Sequence, residues 1–409
     1  MSTYFFYVAH TGKGANGNGV SAIDPATGQI HATVSLGSPK VGGLVAAPGA
    51  TLLYALVDDQ AEVRVIDLDT LAVTASIDVP GGDPGALAIA PDGKCLYVAN
   101  DEGVAEVDTA TRTVQRTFTS GGSSQFYSVA VSADSRFLYA VGRDRIVRFD
   151  LGTGESTSNT ELSEVGSVLV SPDGNRLYAA APGKALYLLD ASALTVAHTL
   201  EGWPEWGQEA LSPDGKRLFV TDPGSDDDRG AMVDTASREG VADFVQAPAG
   251  RQNLVPVALS PDGTVVCTAH RKAVTAGIDT DSKAYSDELP GEAVAITTAA
   301  PLRPQSTRLE TGTARTLVPL RVEGLTARLT TTGGAPVSGA QLRFTSAGGL
   351  DLGTATTDTD GRVNHTAELL LPLDPDTRGI DTSRLAGPYK VTYPGKPAYG
   401  PTETEGTLD

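Results

Sequence analysis

The stretch Ala86-Leu87-Ala88-Ile89-Ala90-Pro91-Asp92-Gly93-Lys94-Cys95-Leu96-Tyr97-Val98-Ala99-Asn100 decides how the chain is read. Two short apolar runs flank a Pro-Asp-Gly turn. Proline presets φ at the second position of a tight turn and glycine closes it, so the stretch reads as a β-hairpin. The same turn recurs at Ser171-Pro172-Asp173-Gly174, Ser212-Pro213-Asp214-Gly215 and Ser260-Pro261-Asp262-Gly263, with degenerate copies at Ala47-Pro48-Gly49-Ala50 and Ser132-Ala133-Asp134-Ser135. After each copy a second apolar run opens, at Leu53-Tyr54, Leu96-Tyr97, Leu138-Tyr139, Leu177-Tyr178, Leu218-Phe219 or Val266-Cys267.

Working outward, an aspartate closes a third run in every unit: Asp24, Asp67, Asp108, Asp150, Asp190, Asp234 and Asp279, spaced 40 to 45 residues apart. A unit of that length holding four short strands is the signature of a β-propeller, and seven copies predict seven blades. The first copy begins directly at a second strand, residues 4–9, whereas the last is followed by an orphan apolar run, residues 293–297. Pairing the two predicts one blade assembled from both ends of the domain, which closes the ring and removes two sheet edges. These units resemble the YVTN family of seven-bladed, WD40-like propellers, related to lactonase-type propellers and bacterial surface-layer proteins. The similarity covers about residues 1–300. It implies the fold and leaves the function open, because such propellers serve as binding scaffolds, lactonases, lyases and dehydrogenases.

Composition agrees with an all-β chain. The 46 glycines and 25 prolines among 409 residues, with only 6% aromatics, favour many short strands joined by tight turns over long helices. A formal net charge of −19 repels phosphate backbones and argues against a nucleic-acid partner. No apolar run approaches the ~18 residues of a membrane helix, so no membrane insertion is expected. The first residues carry neither a basic segment nor a cleavage site; the expected location is cytoplasmic, or the cell surface or exterior if a signal has been removed. Cys95 and Cys267 form no framework and no Cys-x-x-Cys pair, so both are expected to be free and no metal or cofactor is expected.

Residues 301–316 are poor in apolar side chains and read as a linker. Across 317–409 short alternating runs separated by Gly, Pro and Asp predict an immunoglobulin-like β-sandwich. The phrases Thr332-Gly333-Gly334-Ala335-Pro336-Val337-Ser338-Gly339-Ala340 and Thr356-Thr357-Asp358-Thr359-Asp360-Gly361 resemble bacterial immunoglobulin-like repeats. Residues 372–387 form a long connection with no assignment. Asp358 and Asp360 lack the remaining ligands of a calcium loop and read as a hairpin turn.

Ligands of a propeller collect where the loops between second and third strands, and those between successive blades, meet the channel. Second strands end at His10, Val57, Asn100, Gly142, Ala181, Asp222 and His270, and the ionisable ones fall in blades consecutive around the closed ring. His10, His270 and Asp222 are therefore the candidate catalytic residues if the chain is an enzyme. Candidate ligand-binding residues are Asp83, Asn100, Arg143, Glu164, Trp203, Trp206, Arg251 and Arg271: tryptophans to stack on a ring, cations to hold a carboxylate, and rim acceptors. The aspartates of the turns and third-strand ends belong to the opposite face and read as structural. The expected function is a binding or scaffold protein that presents the channel mouth to a small-molecule or protein ligand. The alternative is a lactonase-like hydrolase or lyase with an acid/base or metal-assisted site in the funnel.

Overall fold

The computed structural model describes residues 4–12, 18–25, 27–37, 40–49, 52–57, 61–121, 125–162, 164–202, 208–221, 229–238, 240–245, 256–270, 273–277, 283–285, 289, 292–299, 307–311, 313–317, 321–347, 349–368, 389–395 and 402–408. All its elements are strands, and none of the described residues forms a helix long and apolar enough to cross a membrane. The chain divides into two compact units, Met1–Leu302 and Arg303–Asp409.

The first unit is built from four-stranded antiparallel sheets of the propeller kind. The first sheet places β28 (Glu292–Ala299) beside β1 (Phe5–Thr11), followed by β2 (Asn18–Ile23) and β3 (Ile30–Gly37). Its register sets Val8 against Ile296 and Ala9 against Ala295, with a bulge between Ala9 and His10. The expected pairing of the two ends is thus present. The next sheets follow the chain: β4 (Val41–Ala46), β5 (Leu52–Val57), β6 (Glu62–Asp67) and β7 (Ala72–Asp78); then β8 (Ala86–Ile89), β9 (Cys95–Asn100), β10 (Gly103–Asp108) and β11 (Thr113–Phe118). A fourth holds β12 (Phe126–Val131), β13 (Phe137–Gly142), β14 (Arg145–Asp150) and β15 (Ser156–Asn159), and a fifth β16 (Ser167–Val170), β17 (Arg176–Ala181), β18 (Ala185–Asp190) and β19 (Val196–Glu201). The last two hold β20 (Glu209–Leu211), β21 (Arg217–Val220), β22 (Arg229–Asp234) and β23 (Gly240–Val245), and β24 (Val257–Leu259), β25 (Val266–His270), β26 (Ala273–Gly277) and β27 (Lys283–Tyr285).

Why the second strands read as unbroken apolar runs follows from their packing. Successive side chains point to opposite faces, and both faces of these strands are covered. In β5, Leu53 and Ala55 join Tyr7, Ala9 and Val20 of the first sheet, whereas Tyr54 and Leu56 join Leu96, Val98 and Ala105 of the third. Each apolar core is shared in this way by two sheets. One of them joins the last sheet to the first, through Cys267 and Ala269 against Phe6, Val8 and Ile296. Fully burying a side chain of this size contributes roughly 1.5–3 kcal/mol. The outer strand β11, by contrast, is largely exposed.

The repeated turns are held by one hydrogen-bond pattern. Ser260 Oγ donates to Asp262 Oδ1 at 2.6 Å and accepts the Val265 N–H at 2.8 Å; Ser212 and Asp214 repeat it at 2.7 Å, with the Arg217 N–H at 2.9 Å. At the third-strand ends, Asp108 Oδ1 accepts the N–H groups of Ala110 and Thr111, and Asp234 those of Ala236 and Ser237. These are Asx turns. Thr235 Oγ1 donates to Gly215 O, so both kinds of turn share one end of the sheet. Cys95 and Cys267 are free thiols, as expected.

In the second unit β29 (Thr307–Thr311) and β30 (Thr313–Leu317) share a single register against β31 (Arg321–Thr331). Within the expected linker 301–316, residues 307–311 and 313–316 are therefore strand. Polar residues do not bar a strand, because the pairing is made by backbone groups. On its other side β31 pairs β34 (Arg362–Glu368). β30 also runs parallel to β36 (Thr402–Leu408), which continues through β35 (Tyr389–Tyr393) and β32 (Gln341–Ser346) to β33 (Asp351–Thr356). Leu325, Ala327, Leu329, Leu342, Phe344, Tyr389, Val391 and Tyr393 fill the core. Asp358 Oδ1 accepts the N–H groups of Asp360 and Arg362, a hairpin turn as the sequence indicated. Residues 372–387 lie outside the described residues.

Candidate functional site

At the end of the sheets opposite the aspartate turns, two of the candidate residues, Asn100 and Asp83, flank one loop junction. Asn100, the last residue of β9, is buried at 1% exposure, and its amide is spent on the loop beside it. Nδ2 donates to Pro80 O at 3.2 Å and Oδ1 accepts the Glu102 N–H at 3.0 Å. Gly81, at φ +130°, passes so close that a Cβ there would lie 2.5 Å from Nδ2 of Asn100. Only glycine meets both demands. The Glu102 N–H also donates to Gly81 O. Asp101, which sequence reasoning passed over, ties the group together: Oδ2 accepts the Asp83 N–H at 3.3 Å and Oδ1 accepts Gln125 Nε2 at 2.6 Å. Gln125 enters the fourth sheet, so this carboxylate bridges two sheets. The available signal was its position directly after the strand-ending asparagine, facing a Gly-Gly-Asp loop.

A second station lies one sheet further on. The Glu164 N–H donates to Arg143 O, and the Glu164 carboxylate pairs with Lys184 in the turn between β17 and β18. Arg143 and Glu164 are both exposed. Tyr127 is half-buried; burial raises its pKa, opposed by the nearby Arg143 guanidinium.

His10 is placed differently from a rim residue. It is fully buried, and Nε2 lies 3.0 Å from Ser21 Oγ, which in turn sits 2.8 Å from Thr33 Oγ1. The chain of bonds runs from β1 through β2 to β3, away from the inner strand. Gly19 stands opposite His10, and a Cβ on it would come within 3.3 Å of Cε1 and 2.5 Å of Val34 O. His270 ends β25, opposite Ala273. Asp222, Trp203, Trp206, Arg251 and Arg271 lie outside the described residues. Among the described residues no group of three or more His, Cys, Asp or Glu is arranged to hold a metal ion.

Comparison with known proteins places the fold and little else. Residues 4–171 match a family model described as a domain of unknown function, DUF5074. Autophagy-related protein 18 of Saccharomyces cerevisiae is 31% identical over 139 residues, 33% of this chain and 26% of its own length. The match thus spans about a quarter of that curated relative. Among solved structures, a candidate 6-phosphogluconolactonase from Bacteroides fragilis aligns with a TM-score of 0.57 at 17% identity, covering 73% of this chain and 98% of that one. Kuenenia stuttgartiensis hydrazine synthase aligns with a TM-score of 0.51 at 21% identity, covering 58% of this chain and 76% of that one. At these identities the likeness is one of fold.

Proposed function

We propose that the chain is a binding protein: a closed seven-bladed propeller of the YVTN type that presents its channel face to a small-molecule or protein ligand, followed by an immunoglobulin-like sandwich. For the ring, the support is the core shared by the last and first sheets together with the β28–β1 pairing. For the sandwich, it is the parallel β30–β36 pairing of a strand that also pairs antiparallel with β31. The observation that carries the binding reading is the Asp101 bridge. Its oxygens accept the Asp83 N–H and Gln125 Nε2, while Asn100 beside it holds Pro80 O, so the rim is held in one geometry. A pre-organised rim loses little entropy on binding.

A second reading, a lactonase-like hydrolase using His270 and Asp222, draws on the fold likeness to the candidate 6-phosphogluconolactonase. One experiment separates the two. The full chain is screened for ligand-induced rises in melting temperature over lactones, sugars, organic acids and peptides, and hydrolysis of 6-phosphogluconolactone is followed in parallel. The binding reading expects a stabilising ligand whose effect is lost in Asp101→Ala, with no hydrolysis above the spontaneous rate. Hydrolysis that disappears in His270→Ala replaces it with the enzyme reading. His10→Ala is expected to lower the unliganded melting temperature through a cavity costing about 2 kcal/mol.

A further inference from the structure

Where the repeat departs from its own pattern, a cleft opens. The Ser-Pro-Asp-Gly turns of neighbouring sheets stack, the proline of one against the glycine of the next. A Cβ on Gly215 would lie 2.9 Å from Pro172 Cδ, on Gly263 3.1 Å from Pro213 Cδ, and on Gly93 3.6 Å from Pro48 Cδ. At Gly174 no atom comes within 4 Å of that position. The preceding turn there is Ser132-Ala133-Asp134-Ser135, so alanine stands where the ring of proline would close the contact. Between the two turns lies a cleft of about 490 Å³, lined by Ala133, Asp134, Phe137, Asp173, Asn175 and Ser192 among others.

The lining dictates what fits. Asp134 Oδ1 is held by the Ser132 hydroxyl and the Arg136 N–H, and Asp173 by the Ser171 hydroxyl and by Asn175. Those bonds, the serine hydroxyl foremost, keep both carboxyls ionised below the usual range. Both walls are therefore acceptors. The charges are balanced nearby: Arg136 acts on Asp134, Arg176 on Asp173, and Arg148 on Asp190. The Arg136 and Arg148 guanidiniums also lie over the Phe137 ring, at 4.8 and 4.9 Å. An added cation meets these guanidiniums, and an added anion meets the carboxylates. A neutral ligand rich in hydroxyls meets neither penalty: its O–H groups donate to fixed carboxylates in charge-assisted bonds, and its C–H surface packs on the apolar part of the lining, Ala133 and Pro172. The volume falls in the range of small-molecule sites.

We propose that the cleft between the fourth and fifth sheets, opened by Ala133, is a saccharide-binding site. It lies at the turn end of the sheets, away from the Asp101 rim, so its failure and the failure of the binding reading above are separate results. The test is calorimetric titration of the full chain with methyl hexosides, maltose, cellobiose and lactose, and with putrescine and inorganic phosphate as charged probes. The expected result is saturable one-to-one binding of at least one sugar. Ala133→Pro restores the repeat and closes the gap over Gly174, narrowing the cleft; it should melt no lower than the parent and bind that sugar roughly tenfold or more weakly. Asn175→Ala, at an exposed position, should weaken binding severalfold and serves as the readout if Ala133→Pro disturbs the fold. Absence of sugar binding overturns the proposal, as does binding unchanged in both variants, or binding of putrescine or phosphate alone.

Discussion

At the residue scale, the turn serines matter more than their size suggests. Ser260 is fully buried, and its Oγ both satisfies the Val265 N–H and holds the Asp262 carboxylate. With the Ser260 hydroxyl as the largest influence and Thr264 next, Asp262 titrates at about 2 instead of 3.8. A folded-state value below the unfolded one means that the stabilisation is complete above the unfolded value and is lost as pH falls through the folded one. Ser260→Ala should cost about 1–2 kcal/mol in chemical denaturation at neutral pH, from the orphaned Val265 N–H. It should also soften the acid limb between 3.8 and about 2. Superimposable acid limbs in the two proteins would show that the serine does not tune the carboxylate.

Between elements, arginines tie one sheet to the next. Arg116 donates to Leu151 O, Arg148 to Ala191 O and Ser192 O, and Arg176 to Thr235 O. In each case the acceptor is a carbonyl just past a third-strand aspartate of the following sheet. Guanidinium suits this task because it stays charged and donates in a fixed plane while its stem covers apolar surface. Arg148 also lies over Phe137. Arg148→Ala should lower stability by about 1–2 kcal/mol, whereas exposed Arg143→Ala should stay within about 0.5 kcal/mol. Equal losses from both, measured by urea denaturation, would mean that the ties carry no weight. The asparagine of the hairpin quoted at the outset works on the same scale. Its strand and turn were legible, but its role as a clasp on Pro80 was not, because a side chain that bonds backbone twenty residues away leaves no local pattern.

For the whole molecule, division into two compact units predicts two unfolding events. Each unit has its own apolar core, and every core cluster stays within one unit. A chain ending at residue 302 should keep the cooperative transition of the first unit, within a few degrees of its melting temperature in the full chain. Calorimetry in which the shortened chain loses that transition would show that the second unit is required for the first to fold.

The sequence by itself determined the strand repeat, the turn chemistry and the pairing of residues 4–9 with 293–297. All of these rest on local rules: turn residues with defined φ, apolar runs of strand length, and a period of 40 to 45 residues. Even the fault at Ala133 was written there as a degenerate copy. Only the tertiary structure decided what that fault does, because the cleft depends on an alanine in one sheet standing where a proline would reach a glycine in the next. It also decided the place of His10. Strand alternation says that a residue near a strand end faces one side or the other, but the Ser21 and Thr33 hydroxyls that draw the imidazole outward arrive from two neighbouring strands. The Asp101 bridge has the same origin: Gln125 reaches it from another sheet, across a separation that no local pattern in the sequence spans.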